Sequence, residues 1–120
     1  MTKKVLYIED NPDSLEFVRA ATIIGGYDFV GAPDGHSGLS LAGSQQPDLV
    51  LLDISLPDID GSEVARRLRA DFHNLPILAL SADTTPEGRN KALAAGCNHY
   101  LAKPVDVSEL WRVLATYLPH

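Results

Sequence analysis

The stretch Leu49-Val50-Leu51-Leu52-Asp53 places four consecutive apolar residues directly before a carboxylate. A short apolar run without polar alternation is typical of a strand that is buried on both faces, as in a parallel sheet. Four more runs of this kind lie around it, at residues 5–8, 29–32, 77–80 and 100–102. Segments long enough for helices separate the runs, so the pattern predicts five strands alternating with five helices in a doubly wound α/β domain. The second and fifth runs are the weaker ones, which favours edge positions for them.

Capping residues mark the beginnings of the predicted helices. The predicted N-caps are, in order, Asn11, Asp34, Asp60 or Ser62, Thr85 and Asp106. The first, second and fourth helices are expected to stop at Gly25-Gly26, Pro47 and Gly96. In the last helix, apolar residues recur at helical spacing and are expected to pack on the sheet. These residues are Val107, Leu110, Trp111, Leu114, Tyr117 and Leu118, with a contact to a partner protein as the alternative for Trp111.

Composition and charge argue against several classes of protein. The 120 residues predict one domain, and 10 basic against 16 acidic residues give a net charge of −6. Nucleic-acid binders usually carry a basic patch, so direct binding of nucleic acid is not expected, and Arg66, Arg67 and Arg69 are interpreted as a solvated helix face. No apolar run is long enough for a signal peptide or a membrane span, which predicts a cytoplasmic protein without membrane insertion. The single cysteine, Cys97, is interpreted as a packed thiol. The scattered histidines are interpreted as surface residues: His36, His73, His99 and His120.

Polar side chains follow four of the five runs, at the point where each predicted strand ends. They are Glu9 and Asp10, Asp53, Ser81, and Lys103. The carboxyl ends of parallel strands meet at one edge of a sheet, so these side chains are expected to share one pocket. Its three carboxylates and one ammonium leave a formal charge of −2, which one Mg²⁺ ion would neutralise. Asp53 is the candidate nucleophile, because a carboxylate can form an aspartyl-phosphate, and Lys103 and Ser81 are candidates to contact phosphoryl oxygens.

Five segments of the chain resemble the sequence motifs of the receiver domains of two-component response regulators. They lie at residues 5–11, 47–53, 56–61, 80–82 and 95–104. The resemblance covers essentially the whole chain. It implies a flavodoxin-like (βα)5 fold with a five-stranded parallel sheet in the order 2-1-3-4-5. It also implies that residues 1–120 form one receiver domain, with no output domain in this chain.

The same resemblance implies a function for the pocket. Asp53 would accept a phosphoryl group from a histidine kinase or from a histidine-containing phosphotransfer protein. Mg²⁺ would be bound by Asp10, Asp53 and the backbone carbonyl of Ser55, with Glu9 acting through water. The protein would be a signalling module rather than an enzyme, and it would assist only its own phosphorylation and dephosphorylation. The sequence does not identify the downstream target.

Further residues match the conformational switch of the family. The Lys103–Pro104 bond is expected to be cis and to direct the lysine into the pocket, at a cost of only about 0.5–1 kcal/mol for such a bond. Ser81 and Tyr100 match the switch pair of the family, although packing within a strand is the alternative for Tyr100. Asp83 lies at a position where the family varies, and its carboxylate could repel or orient water near the phosphoryl group.

Three other functions are alternatives to this interpretation. A magnesium-dependent phosphohydrolase with an aspartyl nucleophile usually has a second carboxylate two residues after the first, where this chain has Ser55. A flavodoxin-type cofactor binder needs a phosphate-binding loop after the first strand, where Glu9 and Asp10 would repel a phosphate. A receiver-like interaction domain that is not phosphorylated would not need the complete set of Asp10, Asp53, Ser81 and Lys103.

Overall fold

Strands and helices alternate along the chain in the computed structural model, which describes residues 2–119. The strands are β1 (Lys4–Ile8), β2 (Asp28–Ala32), β3 (Leu49–Asp53), β4 (Ile77–Ser81) and β5 (His99–Ala102). The helices are α1 (Pro12–Ile24), α2 (Gly35–Gln45), α3 (Gly61–Asp71), α4 (Pro86–Ala94) and α5 (Val107–Tyr117). Each of the five predicted strands is present, and each extends the predicted run by one residue at one end. None of these helices, of which α1 is the longest at 13 residues, is both long and apolar enough to span a bilayer.

The five strands form one parallel sheet in the order β2-β1-β3-β4-β5, as the resemblance implies. The two weaker runs are the edge strands, whereas every residue of β3 and β4 is buried. The strand order reverses between β1 and β3, where Ile8 pairs with Leu52. The residues that follow this pair, Glu9 and Asp53, therefore lie next to each other at the carboxyl edge of the sheet.

Helices cover both faces of the sheet. Successive residues of a strand point to opposite sides, so each strand contributes side chains to both faces. Leu6 and Ile8 belong to the core cluster that also contains residues of α2, α3 and α4. Val5 and Tyr7 belong to the other cluster, which contains residues of α1 and α5. Two core layers therefore hold β1 and β3 between them, and this fixes the strand ends that carry the polar residues.

Each of the five helices starts after an N-cap residue whose side chain accepts a hydrogen bond from a first-turn amide. The N-caps are Asn11, Asp34, Asp60, Thr85 and Asp106, so Asp60 rather than Ser62 caps α3. Helix α2 ends earlier than the predicted stop at Pro47, because Gln46 adopts a left-handed conformation with φ of 48°. Gly96, the predicted stop of α4, has φ of 115°, a conformation that glycine adopts at little cost.

Trp111 departs from the predicted core stripe of α5. Trp111 is 38% exposed, whereas Leu110, Val113 and Leu114 are buried. The indole Nε1–H donates to the carbonyl of Ala21 in α1 at 2.8 Å. A Cβ on Gly25 would lie 3.0 Å from this nitrogen, so glycine makes room for the ring beside the end of α1. The prediction that Trp111 packs in the core is therefore wrong in part: the ring fastens α5 to α1 and leaves one side in solvent.

Arg69 also departs from its sequence interpretation. Arg66 and Arg67 pair with Glu63 on the exposed side of α3, which confirms a solvated face for these two residues. Arg69 instead donates hydrogen bonds to the carbonyl oxygens of Gly96, Phe72 and His73 and to Oδ1 of Asn98. It therefore joins α3 to the connection that precedes β5 and is not part of a solvated face.

Candidate functional site

Three carboxylates gather where β1 and β3 end. One oxygen from each of Glu9, Asp10 and Asp53 lies within 4.8 Å of the others. Glu9 is 1% exposed and Asp53 is 4% exposed, whereas Asp10 is exposed. The cluster is thus largely buried and reaches solvent at Asp10. Carboxylate oxygens at this spacing are ligands of the kind that Mg²⁺ prefers.

Lys103 supplies positive charge to this cluster from the end of β5. Its Nζ lies 2.6 Å from Glu9 Oε1 and 3.2 Å from Asp53 Oδ1, and its side chain is 24% exposed. The Lys103 amide donates to the Ser81 carbonyl at 2.9 Å, and the Lys103–Pro104 bond is cis, as the resemblance implies. One ammonium against three carboxylates leaves the formal charge of −2 that the sequence predicts.

Tyr7 is a member of the site that sequence reasoning missed. Its hydroxyl donates to Glu9 Oε1 at 2.8 Å. Burial and the neighbouring Glu9 raise the pKa of Tyr7, so the hydroxyl stays protonated and remains a donor. The sequence of β1 contains a signal for this contact. Residues two apart in a strand point to the same side, so a tyrosine at position 7 can reach Glu9.

The two buried carboxylates differ in their proton affinity. Burial raises the pKa of Asp53 to about 6, and the negative charge of Glu9 acts in the same direction. Burial also opposes ionisation of Glu9, but hydrogen bonds donated to its carboxylate by Lys103 and Tyr7 outweigh it and lower its pKa to about 2. Burial alone would lower the pKa of Lys103, yet Glu9 and Asp53 raise it, so the ammonium stays charged. A pKa of about 6 leaves the Asp53 carboxylate mostly ionised at neutral pH.

Ser55 belongs to the loop that leaves Asp53. Its N–H donates to Asp53 Oδ1 at 3.2 Å. The loop returns at Gly61, whose N–H donates to the Ile54 carbonyl at 3.2 Å. A Cβ on Gly61 would lie 2.5 Å from Ile54 Cα, so this close return requires glycine. The loop therefore keeps Ser55 beside Asp53.

Ser81 and Tyr100 are linked through the backbone of Asp83. Ser81 is 4% exposed, and its Oγ accepts the Asp83 N–H at 3.0 Å. The hydroxyl of Tyr100, which is half-buried, donates to the Asp83 carbonyl. The Asp83 carboxylate accepts the amide and hydroxyl of Thr85 at 2.8 and 2.6 Å. Oδ1 of Asp83 thus takes part in hydrogen bonds at the beginning of α4, and an effect of this carboxylate on water near the phosphoryl group stays a prediction.

A cavity of about 400 Å³ opens beside Lys103. It is lined by Tyr7, Asp13, Ser14, Phe17, Val18, Lys103, Pro104 and Val105. Phe17 is 51% exposed, so an aromatic ring on α1 borders this opening. The site therefore adjoins an apolar surface between α1 and the segment that follows β5.

The remaining candidate residues lie apart from this site. Cys97 is buried, which confirms a packed thiol, and burial raises its pKa to about 11. His36 and His73 are exposed, and His99 is half-buried. His120 falls outside the described residues. Within residues 2–119, the acidic cluster above is the one group of possible metal ligands.

Comparison with known proteins places the chain in a family. The sequence profile of the response regulator receiver domain matches residues 5–115. The probable transcriptional regulatory protein TcrX of Mycobacterium tuberculosis is 38% identical over 106 residues, which is 88% of this chain and 45% of TcrX. The polar-differentiation response regulator DivK of Brucella ovis is 32% identical over 120 residues, which is 98% of both proteins. The chain thus spans less than half of TcrX and nearly all of DivK.

A solved structure agrees with this placement. The chemotaxis protein CheY4 of Vibrio cholerae superposes with a TM-score of 0.93 at 28% identity, covering 98% of this chain and 100% of CheY4. The sequence of this chain and its fold thus match the same group of proteins. The chain has the five strands, the strand order and the acidic cluster at the carboxyl edge that are described above. The chain belongs to the response regulator receiver family and is a phosphoacceptor signalling module of two-component systems.

Proposed function

We propose that Asp53 is the residue that accepts the phosphoryl group. The observation that carries this proposal is the placement of a buried carboxylate 3.2 Å from Lys103 Nζ within the acidic cluster. Glu9 is the alternative, but both of its oxygens already accept hydrogen bonds, from Tyr7 and Lys103 on Oε1 and from the Asn11 amide on Oε2. Asp53 is approached by the Ser55 N–H and by the Lys103 ammonium, both at Oδ1.

The transfer needs no proton acceptor at Asp53. A carboxylate oxygen attacks the phosphorus of a phosphohistidine, the phosphorus–nitrogen bond breaks, and its electron pair returns to the imidazole nitrogen. Asp10, Asp53 and the Ser55 carbonyl would hold Mg²⁺, with Glu9 acting through water, and the ion would supply positive charge for the transferring group. The Lys103 ammonium, already beside Asp53, stabilises a phosphoryl oxygen in the same way. The protein assists only its own phosphorylation and dephosphorylation.

The donor is proposed to be a histidine kinase or a histidine-containing phosphotransfer protein. The cavity beside Lys103 supports this, because Phe17 and Val105 offer apolar contact area next to the pocket.

We propose that residues 1–120 act as one receiver unit. The cytoplasmic location and the absence of direct nucleic-acid binding stay predictions.

Phosphorylation is proposed to act through Ser81 on the face formed by α4, β5 and α5, which is the proposed partner-binding face. A phosphoryl oxygen on Asp53 would attract the Ser81 hydroxyl, which now accepts the Asp83 N–H. Movement of Ser81 would disturb the backbone of Asp83, to which Tyr100 is bonded. One charge-assisted hydrogen bond contributes roughly 1.5–3 kcal/mol, whereas a swing from 1:99 to 99:1 needs about 5.5 kcal/mol. We therefore infer a partial, graded switch to which Lys103 and repacking also contribute.

The overall proposal is tested by intact-mass measurement after incubation with a small acyl phosphate. The protein should gain one phosphoryl group when Mg²⁺ is present and none in excess chelator, because the −2 charge of the pocket repels an anionic donor unless a cation joins it. Undiminished transfer in chelator would contradict the metal requirement. A protein that gains nothing under either condition would instead be the unphosphorylated interaction domain named above.

The assignment of metal ligands predicts a ranking of variants. Asp10→Asn should weaken Mg²⁺ binding by about tenfold or more, and Glu9→Gln by less, because Asp10 is assigned a direct contact and Glu9 a contact through water. Titration with Mg²⁺, followed by NMR shifts of the pocket amides, measures both. Asp71→Asn, the same change at an exposed residue of α3, is the control. A larger loss in Glu9→Gln would reverse the assignment.

The proposed switch predicts that Ser81→Ala uncouples the pocket from the partner-binding face. Beryllofluoride, which mimics the phosphoryl group, should shift the NMR signals of residues 84–118 in the parent. In Ser81→Ala these shifts should be much smaller, because the methyl group cannot donate to the mimic. Ser44→Ala, on the exposed side of α2, should behave as the parent. Equal shifts in the parent and Ser81→Ala would show that the hydroxyl does not carry the coupling.

A further inference from the structure

Asp58 ties the loop between β3 and α3 to the beginning of α2. Its Oδ1 accepts the Gly35 N–H at 2.8 Å, and its Oδ2 accepts the His36 N–H at 2.9 Å. The Asp58 side chain is 24% exposed. Helix α2 has its own N-cap in Asp34, which accepts the Ser37 N–H. The first-turn amides of α2 thus donate to two carboxylates: Asp34, directly before the helix, and Asp58, in a distant loop.

This loop, residues 54–60, carries the backbone carbonyl of Ser55. Gly61 closes the loop on Ile54 at its base. Among the described residues, the loop has two side-chain polar links to other helices: Asp58 to α2, and the Asp60–Lys91 pair to α4. The side chains of the Asp60–Lys91 pair are 52% and 61% exposed, so that pair constrains the loop weakly. Asp58 is the stronger of the two links.

The approach of the loop to α2 depends on the absence of a side chain at position 35. A Cβ on Gly35 would lie 3.2 Å from Asp58 Oδ1, 3.3 Å from Ile59 Cβ and 3.1 Å from Val64 Cγ2. Two of these neighbours belong to the loop, so a methyl group at position 35 would push it away from α2. Gly43, in the same helix, has no atom within 4 Å of such a Cβ.

We propose that Asp58 is a positioning residue for the metal site: by fixing the loop on α2, it places the Ser55 carbonyl before the ion arrives. This inference rests on the proposed function, in which that carbonyl is a ligand of Mg²⁺. A ligand that is held in place loses little freedom when the ion binds, whereas a released loop must be ordered first. Residues that orient metal ligands typically change metal affinity by about 10–100-fold when they are replaced.

The test uses Mg²⁺ alone as the probe, with its dissociation constant measured from NMR shifts of the pocket amides in the full chain. Asp58→Ala should bind Mg²⁺ about tenfold more weakly than the parent, at the lower end of the range for such residues. Asp34→Ala is the matched control, because it removes a carboxylate from the same helix end but leaves the loop attached. Both variants should unfold at lower urea concentration, and only Asp58→Ala should lose Mg²⁺ affinity. Asp58→Asn keeps one carbonyl acceptor and should recover part of the loss.

A second pair of variants approaches the contact from the side of the helix. Gly35→Ala should weaken Mg²⁺ binding although Asp58 is unchanged, and Gly43→Ala should bind the ion as the parent does. This pair decides the question if Asp58→Ala does not fold. Equal Mg²⁺ affinity in Gly35→Ala and Gly43→Ala, or in Asp58→Ala and Asp34→Ala, would overturn the positioning role. A parent protein that binds no Mg²⁺ would overturn the proposed metal site itself, and the positioning role with it.

Discussion

The Asp53→Asn variant should gain no phosphoryl group from a small acyl phosphate under conditions in which the parent gains one. The amide is not a nucleophile, and the neighbouring acids do not replace it, because Glu9 is held by Tyr7 and Lys103 at one oxygen and Asp10 is exposed at the rim of the cluster. Intact-mass measurement distinguishes the outcomes directly. Asp71→Asn should be modified like the parent, and a phosphoryl group on Asp53→Asn would refute the assignment.

The same substitution should raise stability at neutral pH in metal-free buffer. Folding raises the pKa of Asp53 to about 6, above the value of about 3.9 for an unfolded chain. The folded parent therefore binds more protons between these pH values, and it loses stability as pH rises from about 4 to about 6. Asp53→Asn lacks this loss and should be more stable than the parent by on the order of 3 kcal/mol at pH 7.5, because one pKa unit corresponds to about 1.4 kcal/mol. Urea unfolding with chelator should show this difference disappear near pH 4.

The Lys103→Ala variant should be the most destabilised of the pocket variants. Removing the ammonium takes away the 2.6 Å contact with Glu9 and the 3.2 Å contact with Asp53, and it leaves three carboxylates together. Breaking a buried ion pair by removing one partner typically costs about 3–5 kcal/mol. The measurement is urea unfolding at pH 7.5 without metal, repeated with saturating Mg²⁺, which should restore more stability to the variant than it adds to the parent.

Lys91→Ala is the matched control for this prediction. Its partner Asp60 is exposed, so removal of the Lys91 side chain should change stability by less than about 1 kcal/mol.

Phosphorylated Lys103→Ala should also show smaller NMR changes at residues 84–118 than the phosphorylated parent, since the charge of Lys103 is assigned to a phosphoryl oxygen. If Lys103→Ala unfolds like Lys91→Ala and reaches the phosphorylated conformation as readily as the parent, Lys103 has neither role.

The fold could be predicted from local patterns because its central strands are buried on both faces. The apolar run before Asp53 and the capping residues depend on near neighbours in the chain, and the strand order followed from the family resemblance. Predictions failed where a residue distant in sequence decides the outcome. Trp111 lies at helical spacing with core residues, yet the carbonyl of Ala21 and the space at Gly25 draw its ring to the surface.

The gathering of site residues could also be predicted, because strand ends of a parallel sheet meet. Glu9, Asp10, Asp53 and Lys103 do lie together, and their assigned roles stay predictions. The contacts that position them were missed for a physical reason. Asp58 reaches an amide on another helix, and Arg69 reaches a connection 27 residues away, so their targets depend on side-chain direction across elements. Nothing in the local sequence reports that direction.

The two contacts that Trp111 and Leu118 make with the first part of the chain bear on the order of events during synthesis. The indole binds Ala21, and the Leu118 carbonyl accepts the Tyr27 hydroxyl at 3.2 Å. The same core layer contains Val18 and Ala21 of α1 together with Leu110, Val113 and Leu114 of α5. Because α5 leaves the ribosome after the other helices and strands, the part of α1 that contacts α5 stays exposed until then. The single tryptophan can enter its folded surroundings only when the beginning and the end of the domain have met.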